Sequence, residues 1–363
     1  MNNKVYKSLE KLCDKHDACL TKNERKVILN DDWETSNFYI LPKINKCAEI
    51  INEIEQQNSE YIHMLMPSSL KGRPINGGTK SVTQGASMLL EKILNPLVPN
   101  LKSYIKDEWD FLRKFPSNFS NPCIPLSCDI ISLYTSIPHD LGITALEYWI
   151  NKLSSSIPKR FNKEFILEFM LFILQNNYFH FSEEMFHQVS GTSMGTKCAP
   201  PYSCLVIGFL EETRLFPVLL PSIFSPSISQ LIIEQFYRYI DDGITTIPYD
   251  ISPDIFLDLL NKMHPAINYT LGIPKLVKRD LELLQELIFL SIIIYINDTG
   301  KVSTDVFYKE TNSHDYLNFN SHHPLHVKTN IPYILAKRII VITTDDSLVK
   351  HHLDDFTKVV IIM

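Results

Sequence analysis

The chain has 363 residues, 45% hydrophobic and 21% charged, a balance that supports about two or three subdomains around sizeable cores and excludes a disordered or fibrous protein. Its net charge of −6 weighs against a uniformly basic surface that wraps nucleic acid, although acidic residues crowd 107–110 and 345–355 while 71–80 and 301–309 are locally basic or mixed. The longest apolar run, near 287–296, is about half the ~20 residues a membrane helix needs. No charged-apolar-small leader opens the chain, and the seven cysteines form no Cys-x-x-Cys pair, so the sequence reads as soluble, intracellular and thiol-reduced, with no membrane partner.

In chain order, Leu89, Leu90, Ile93, Leu94 and Leu97 recur at helical spacing and predict an amphipathic helix over 84–97, ending near Asn95-Pro96. Residues 124–131 alternate: Ile124, Leu126, Cys128 and Ile130 share one face of a strand, and Ser127, Asp129 and Ile131 the other. A second helix is expected over 163–177, with Asn162 as N-cap ahead of Phe165, Ile166, Phe169, Phe172 and Ile173. A third follows Pro200-Pro201 through 205–213. The stretch 215–228, with Pro217, Pro221 and Pro226, reads as a connector. Residues 236–247, Phe-Tyr-Arg-Tyr-Ile-Asp-Asp-Gly-Ile-Thr-Thr-Ile, predict a hairpin with Asp241 and Asp242 at its tip, where Asp242-Gly243 is itself a turn signal. Finally, 287–296 and 301–308 flank Asn297-Asp-Thr-Gly300, another hairpin signal. Glycine is scarce, 11 in all, and seven of these fall at 72–85, 191, 195 and 243, in the segments that carry the motifs below. Strands and helices mix without βαβ alternation, so the expected class is α+β.

Asp129 sits on the polar face of its strand, and Tyr237, Tyr239 and Asp241 share a face of theirs. If the two strands are neighbours, Asp129 and Asp241 can clamp two divalent ions, with Asp242 in reach. Such ions serve in-line phosphoryl displacement, and oxygen-only ligands select Mg²⁺ or Mn²⁺ over zinc. Three unrelated surface aspartates are the alternative. The histidines at 322, 323, 326, 351 and 352 match no structural zinc spacing.

Asp129-Ile-Ile-Ser-Leu-Tyr134-Thr-Ser-Ile-Pro138, Gly191-Thr-Ser-Met-Gly195-Thr-Lys-Cys-Ala-Pro200 and Tyr239-Ile-Asp-Asp242 stand in the order of polymerase motifs A, B and C and resemble reverse transcriptases. The resemblance is to those of Penelope-like retroelements, relatives of telomerase. It rests also on Phe38-Tyr-Ile-Leu-Pro-Lys-Ile-Asn-Lys46, Gly72-Arg-Pro-Ile75, Ser132-Leu-Tyr-Thr135, Met194-Gly195, Lys309, Ser313-His-Asp-Tyr-Leu317 and Ser321-His-His-Pro324. It spans roughly residues 38–340.

This resemblance implies a right-hand polymerase. An N-terminal region and fingers would occupy 1–125, a palm 126–310 with a second fingers segment at about 150–190, and a palm/thumb junction with a shortened thumb 311–363. It implies an RNA-directed DNA polymerase that takes an RNA template, a DNA primer, dNTPs and Mg²⁺, with Mn²⁺ as substitute, in the nucleus. Asp129, Asp241 and Asp242 match the catalytic, metal-binding carboxylates, the first two as principal ligands. Tyr134 matches the steric gate against a 2′-hydroxyl. Lys43 and Arg73 match residues that grip the triphosphate, Met194 and Gly195 line the nucleotide, and Gly195 lets template and nucleotide approach the backbone. Tyr239 packs by the primer terminus, and Lys275 or Lys278 protonates pyrophosphate. The chain departs from the family where Ser291 replaces a common Asp and Asn45 a common His. A catalytically degenerate nucleic-acid binder or scaffold is the alternative, and a metal-dependent nuclease a third reading in which Tyr134 and Arg73 have no job.

Overall fold

The computed structural model describes residues 2–57, 62–279, 282–309, 311–312 and 316–362. Of the motifs above, residues 313–315 lie outside this set. The described strands are β1 (Ser36–Pro42), β2 (Gly72–Asn76), β3 (Cys123–Ile130), β4 (Tyr178–Phe181), β5 (Glu184–His187), β6 (Tyr237–Tyr239), β7 (Asp242–Pro248), β8 (Tyr269–Gly272), β9 (Lys275–Arg279), β10 (Glu282–Phe289), β11 (Ile292–Asn297) and β12 (Val302–Val306). They form three four-stranded sheets, ordered β6-β7-β3-β8, β12-β11-β10-β9 and β2-β1-β4-β5. The first two are antiparallel throughout. In the third, β1 runs parallel to β4, which brings the N-terminal hairpin beside a strand pair more than 100 residues later.

The central β6-β7-β3-β8 sheet separates two cores. Leu126 and Ile247 belong to the larger, built with helices Gln84–Leu94, His139–Lys152, Lys163–Gln175 and Ala199–Leu210. Cys123 and Ile244 belong to the smaller, which joins Phe111 and Phe115 to Phe289, Ile292, Ile339 and Ile342. Each large apolar side chain so buried contributes about 1.5–3 kcal/mol, and Trp149 also keeps its indole N–H satisfied by the Leu205 carbonyl at 2.8 Å. The helix Lys163–Gln175 starts where its cap predicts: Asn162 Oδ1 accepts from the Phe165 N–H at 2.8 Å. The apolar helix 84–97 ends its α-turns at Leu94 and continues as 3₁₀ turns over Asn95–Asn100.

Two expectations need correction. The stretch 215–228 is helical rather than a connector. A π-helical segment Glu211–Leu219 leads into helices Leu220–Ile223 and Pro226–Glu234. Pro226 occupies a first turn, where a missing N–H costs nothing, and Ser225 caps that helix, whereas Pro221 follows the π-helical segment without a break. The apolar run 287–296 is two strands, since β10 turns back into β11 through Leu290, whose φ is 55°. An apolar run masks a turn made by a left-handed Leu, a residue that rarely adopts that conformation.

Candidate active site

The two acidic segments meet in one sheet. β3 and β7 are antiparallel neighbours with Asp129 directly opposite Asp242 and Cys128 opposite Gly243, and Tyr239 of β6 is opposite Asp242 from the other side. Cross-strand partners share a face with Cβ atoms about 4.5–5.5 Å apart, so the pair facing Asp129 across the sheet is Asp242. Asp241 instead occupies the turn with Ile240, and its carbonyl accepts from the Ile130 N–H at 3.2 Å. The turn is therefore Ile240-Asp241 and not Asp242-Gly243. Gly243 lies inside β7, where a Cβ would come within 2.5 Å of Cys128 Sγ. Ile240 has a φ of 57°. A β-branched residue held there costs on the order of 1–3 kcal/mol, a strain met most often at functional sites.

Burial and the charges of Asp241 and Asp129 push the Asp242 carboxyl up to about 6, while Lys46 and Lys309 oppose the shift. Asp241 is raised as well, by burial and then Asp129, against Arg73 and Lys46. Lys46 Nζ stands 3.5 Å from Asp129 Oδ2. The Tyr134 hydroxyl is pushed up to about 12 by burial, with Asp241 adding to the shift and Arg73 opposing it. Asp129, Asp241, Asp242, Tyr134 and Arg73 thus share one electrostatic neighbourhood, although their sequence positions span 170 residues.

Arg73 is exposed on β2 opposite Leu41. Lys43 is half-buried in the loop after β1, its N–H bonded to the Lys71 carbonyl at 2.8 Å. Tyr134 lies on the short helix Leu133–Ser136, which the left-handed Ser132 (φ 53°) starts. The loop carrying Met194 and Gly195 is fastened to this helix and to β2. The Thr192 N–H donates to the Tyr134 carbonyl at 2.6 Å, and Ser193 Oγ donates to the Asn76 carbonyl at 3.0 Å. A Cβ on Gly195 would lie 2.1 Å from the Asn76 carbonyl oxygen and 2.3 Å from the Gly78 nitrogen. The backbone that approaches Gly195 is the chain's own, and this packing against β2 by itself requires a glycine there. Tyr239 ends β6 and is 37% exposed. Lys275 and Lys278 lie exposed on β9, whereas the lysines whose charges act on Asp242 are Lys46 and Lys309.

Ser291 is tied to a carboxylate and, through it, to a guanidinium. Its hydroxyl donates to Glu108 Oε1, Glu108 Oε2 lies 3.4 Å from Arg338 Nε, and Arg338 Nη2 donates to the Ser291 carbonyl at 3.3 Å. These three residues and Tyr239 line a cleft of about 460 Å³. A second cleft, of about 280 Å³, opens on Asp129, Asp242 and Thr270.

Four residues at or beneath the site carried no role in the sequence reading. Lys46 and Lys309 stood inside motifs without an assignment, and nothing local marks them. Arg238 and Glu211 form a buried ion pair under the turn, each side chain 2% exposed. Arg238 was detectable: with Tyr237, Tyr239 and Asp241 on one face, it falls on the core-facing row, where a charge requires a buried partner.

Among the described residues, no three His, Cys, Asp or Glu side chains are grouped so as to hold a metal ion. The donor set nevertheless fits Mg²⁺ or Mn²⁺. These ions take one or two carboxylates and fill the remaining positions with water and phosphate oxygens, and a dication would offset both the burial and the neighbouring Asp241 and Asp129 charges that raise Asp242. Asp129 and Asp242 would hold it, with Asp241 beside them. All seven cysteines are buried and free, and no described helix is long and apolar enough to cross a membrane.

A family model described as an animal helix-turn-helix domain matches residues 315–360. The segment contains helix Leu325–Ile342 and most of helix Asp346–Ile362, joined through 343–345. No curated protein matches the chain by sequence. Among solved structures, telomerase from Candida albicans in complex with the TWJ fragment of telomeric RNA is 10% identical. The match has a TM-score of 0.52 and covers 90% of this chain and 53% of that one. Apo telomerase from Candida tropicalis, truncated from its C-terminal domain, is 11% identical, with a TM-score of 0.45 and coverage of 70% and 59%. The RNA-dependent RNA polymerase of a human picobirnavirus is 12% identical, with a TM-score of 0.39 and coverage of 63% and 42%. The chain thus spans little more than half the length of the telomerase chains it matches. It has a polymerase fold of mixed helices and sheets, like that of the Candida albicans telomerase.

Proposed function

We propose that this chain is an RNA-directed DNA polymerase of the Penelope-like kind, extending a DNA primer on an RNA template in the nucleus. The observation that carries the reading is the register placing Asp129 opposite Asp242 beside a turn that presents Asp241, in a neighbourhood shared with Tyr134 and Arg73. On this reading β6-β7-β3-β8 is the palm, β2-β1-β4-β5 belongs to the fingers, and helices Leu325–Ile342 and Asp346–Ile362 to the thumb.

Asp129, Asp241 and Asp242 hold the reacting centre at the mouth of the sheet. Two Mg²⁺ ions bound there would activate the primer 3′-hydroxyl and stabilise the departing pyrophosphate oxygen. Arg73 and Lys43 draw the triphosphate in, and Arg73, with its fixed fork of donors, orients it. Tyr134 sits under the sugar and leaves no room for a 2′-hydroxyl, so deoxynucleotides are taken. Lys46, paired with Asp129, is placed to exchange that carboxylate for phosphate as substrate enters. Catalysis of this kind is mostly positioning and charge stabilisation, so one lost carboxylate is severe.

Primer extension on a poly-RNA template with dNTPs and Mg²⁺ tests the proposal. Wild type should extend, and Asp241→Ala should lose about 10³-fold or more. The net charge of −6 favours one other reading, a degenerate nucleic-acid binder. Duplex binding without extension by wild type would establish that reading instead.

A further inference from the structure

Beneath the carboxylates lies a charged pair for which the proposed chemistry has no use. Arg238 and Glu211 are each 2% exposed. The guanidinium grips the carboxylate with two donors, Nε to Oε1 at 2.5 Å and Nη2 to Oε2 at 3.2 Å. Ser103 Oγ, fully buried, donates to the same Oε2 at 2.6 Å. The backbone is tied as well: the Arg238 N–H donates to the Ser103 carbonyl at 2.6 Å, and the Ile105 N–H to the Arg238 carbonyl at 3.1 Å. The remaining arm is the informative one. Nη1 donates to the carbonyl of Ile240 at 2.9 Å, the left-handed residue immediately before Asp241. Nη2 also reaches the Cys204 carbonyl at 3.2 Å, which fixes the guanidinium to the helix behind the sheet.

A buried ion pair is a poor way to stabilise a fold, because apolar residues of similar volume serve as well or better. What apolar residues cannot supply is a rigid donor aimed at one carbonyl. The recipient here is the strained turn, and Asp241 follows it by one peptide bond. The Asp241 carbonyl in turn accepts from Ile130, one residue beyond Asp129. Arg238 therefore sits at the start of a hydrogen-bonded path that ends between the two acidic segments.

We infer that Arg238, braced by Glu211 and Ser103, is a positioning residue that holds Ile240 in its left-handed turn and thereby sets the direction of Asp241 toward Asp129. This rests on reading the carboxylates as the metal-binding catalytic site, and it does not depend on which nucleic acid is copied.

Three variants and two readouts test it. Arg238→Lys keeps the charge against Glu211 but cannot also span to Ile240. The double change Arg238→Met with Glu211→Met removes both charges together, so no unpaired ion is left buried. Ser103→Ala removes one hydroxyl and is too small a change to unfold the chain. Mn²⁺ affinity is read by electron paramagnetic resonance, and the exchange rate of the Ile130 amide by NMR. Removing a group that orients a metal ligand typically weakens metal binding about 10- to 100-fold. That loss is expected for the lysine and double variants, together with Ile130 exchange accelerated relative to the other β3 amides; Ser103→Ala should show a smaller shift in the same sense. Folded variants, including Ser103→Ala, with wild-type Mn²⁺ affinity and wild-type Ile130 exchange would overturn the inference and leave the pair a structural one. If wild type extends no primer while both readouts shift as expected, the polymerase reading fails and the positioning role stands.

Discussion

Asp242 carries the stability cost of the site. Its carboxyl is raised to about 6 by burial and by the charges of Asp241 and Asp129, against about 3.9 for an unfolded Asp. Between those values the folded chain binds a proton that the unfolded chain does not, so this contribution falls as pH rises through the window. Above about pH 6 the folded state therefore bears the full penalty of the ionised group. Asp242→Asn should stabilise the protein at pH 7 in chelator by about 1–2 kcal/mol, discounted for solvent reaching the cleft, and the gain should vanish by about pH 4. Urea unfolding at the two pH values measures it, and equal gains at both would refute the assignment. The same substitution should abolish the proposed activity, the usual exchange of stability for function at a catalytic residue. In the sequence, Asp242 was legible as a carboxylate near two others, but not as the one facing Asp129. That ranking comes from strand register, which no residue count along the chain supplies.

At the scale of elements, the β10-β11 turn is held by a three-residue polar network. The Ser291 hydroxyl donates a hydrogen bond to Glu108, and Arg338 from helix Leu325–Ile342 bridges that carboxylate to the Ser291 carbonyl. Placing an Asp at position 291 should therefore harm this chain. Ser291→Asp removes a hydrogen bond to a charged group and puts a second carboxylate beside Glu108, a loss of about 1–3 kcal/mol. Adding Glu108→Ser should recover most of it, since Arg338 then faces one carboxylate again. A double-mutant cycle by urea unfolding should give a coupling of about 1 kcal/mol or more, and strict additivity would show that the three residues do not act together. Much of the element scale was legible: the Asn162 cap, the alternation of β3 and the helix after Pro200-Pro201 all follow from local rules. What escaped was set by neighbours. Pro226 read as a breaker because its place in a first turn depends on where a helix begins, and Pro221 because it follows a π-helical segment that no local pattern announces. The turns at Ile240 and Leu290 lacked a glycine signal because each places a branched residue in a left-handed conformation it would not choose. Arg238 is the sharper lesson, since strand period put a charge in the core and so announced a hidden partner without saying that it was Glu211.

For the whole molecule, the decisive quantity is how much positive charge remains free to meet phosphate. The net charge of −6 understates the pairing: Lys15 bonds Glu164 and Glu168, Arg160 bonds Glu24, Lys163 bonds Glu147, and Lys80, inside the locally basic run 71–80, bonds Glu34. Such pairs already have their counter-ions and release few others when nucleic acid arrives. The cations whose charges act on the carboxylates, Lys46, Arg73 and Lys309, would on the proposed function serve the reacting centre rather than a long groove. Duplex binding should accordingly depend weakly on salt. A protein making 6–10 phosphate contacts loses about 10³–10⁵ in affinity between 50 and 200 mM salt, with a log-log slope near −0.9 per contact. For this chain the slope should be about −3 or shallower, which corresponds to roughly three contacts. Fluorescence anisotropy of a labelled RNA–DNA duplex across that salt range measures it directly. A slope near −8 would mean that paired lysines such as Lys80 leave their carboxylates for phosphate. The acidic total would then conceal a basic groove that forms only around its substrate.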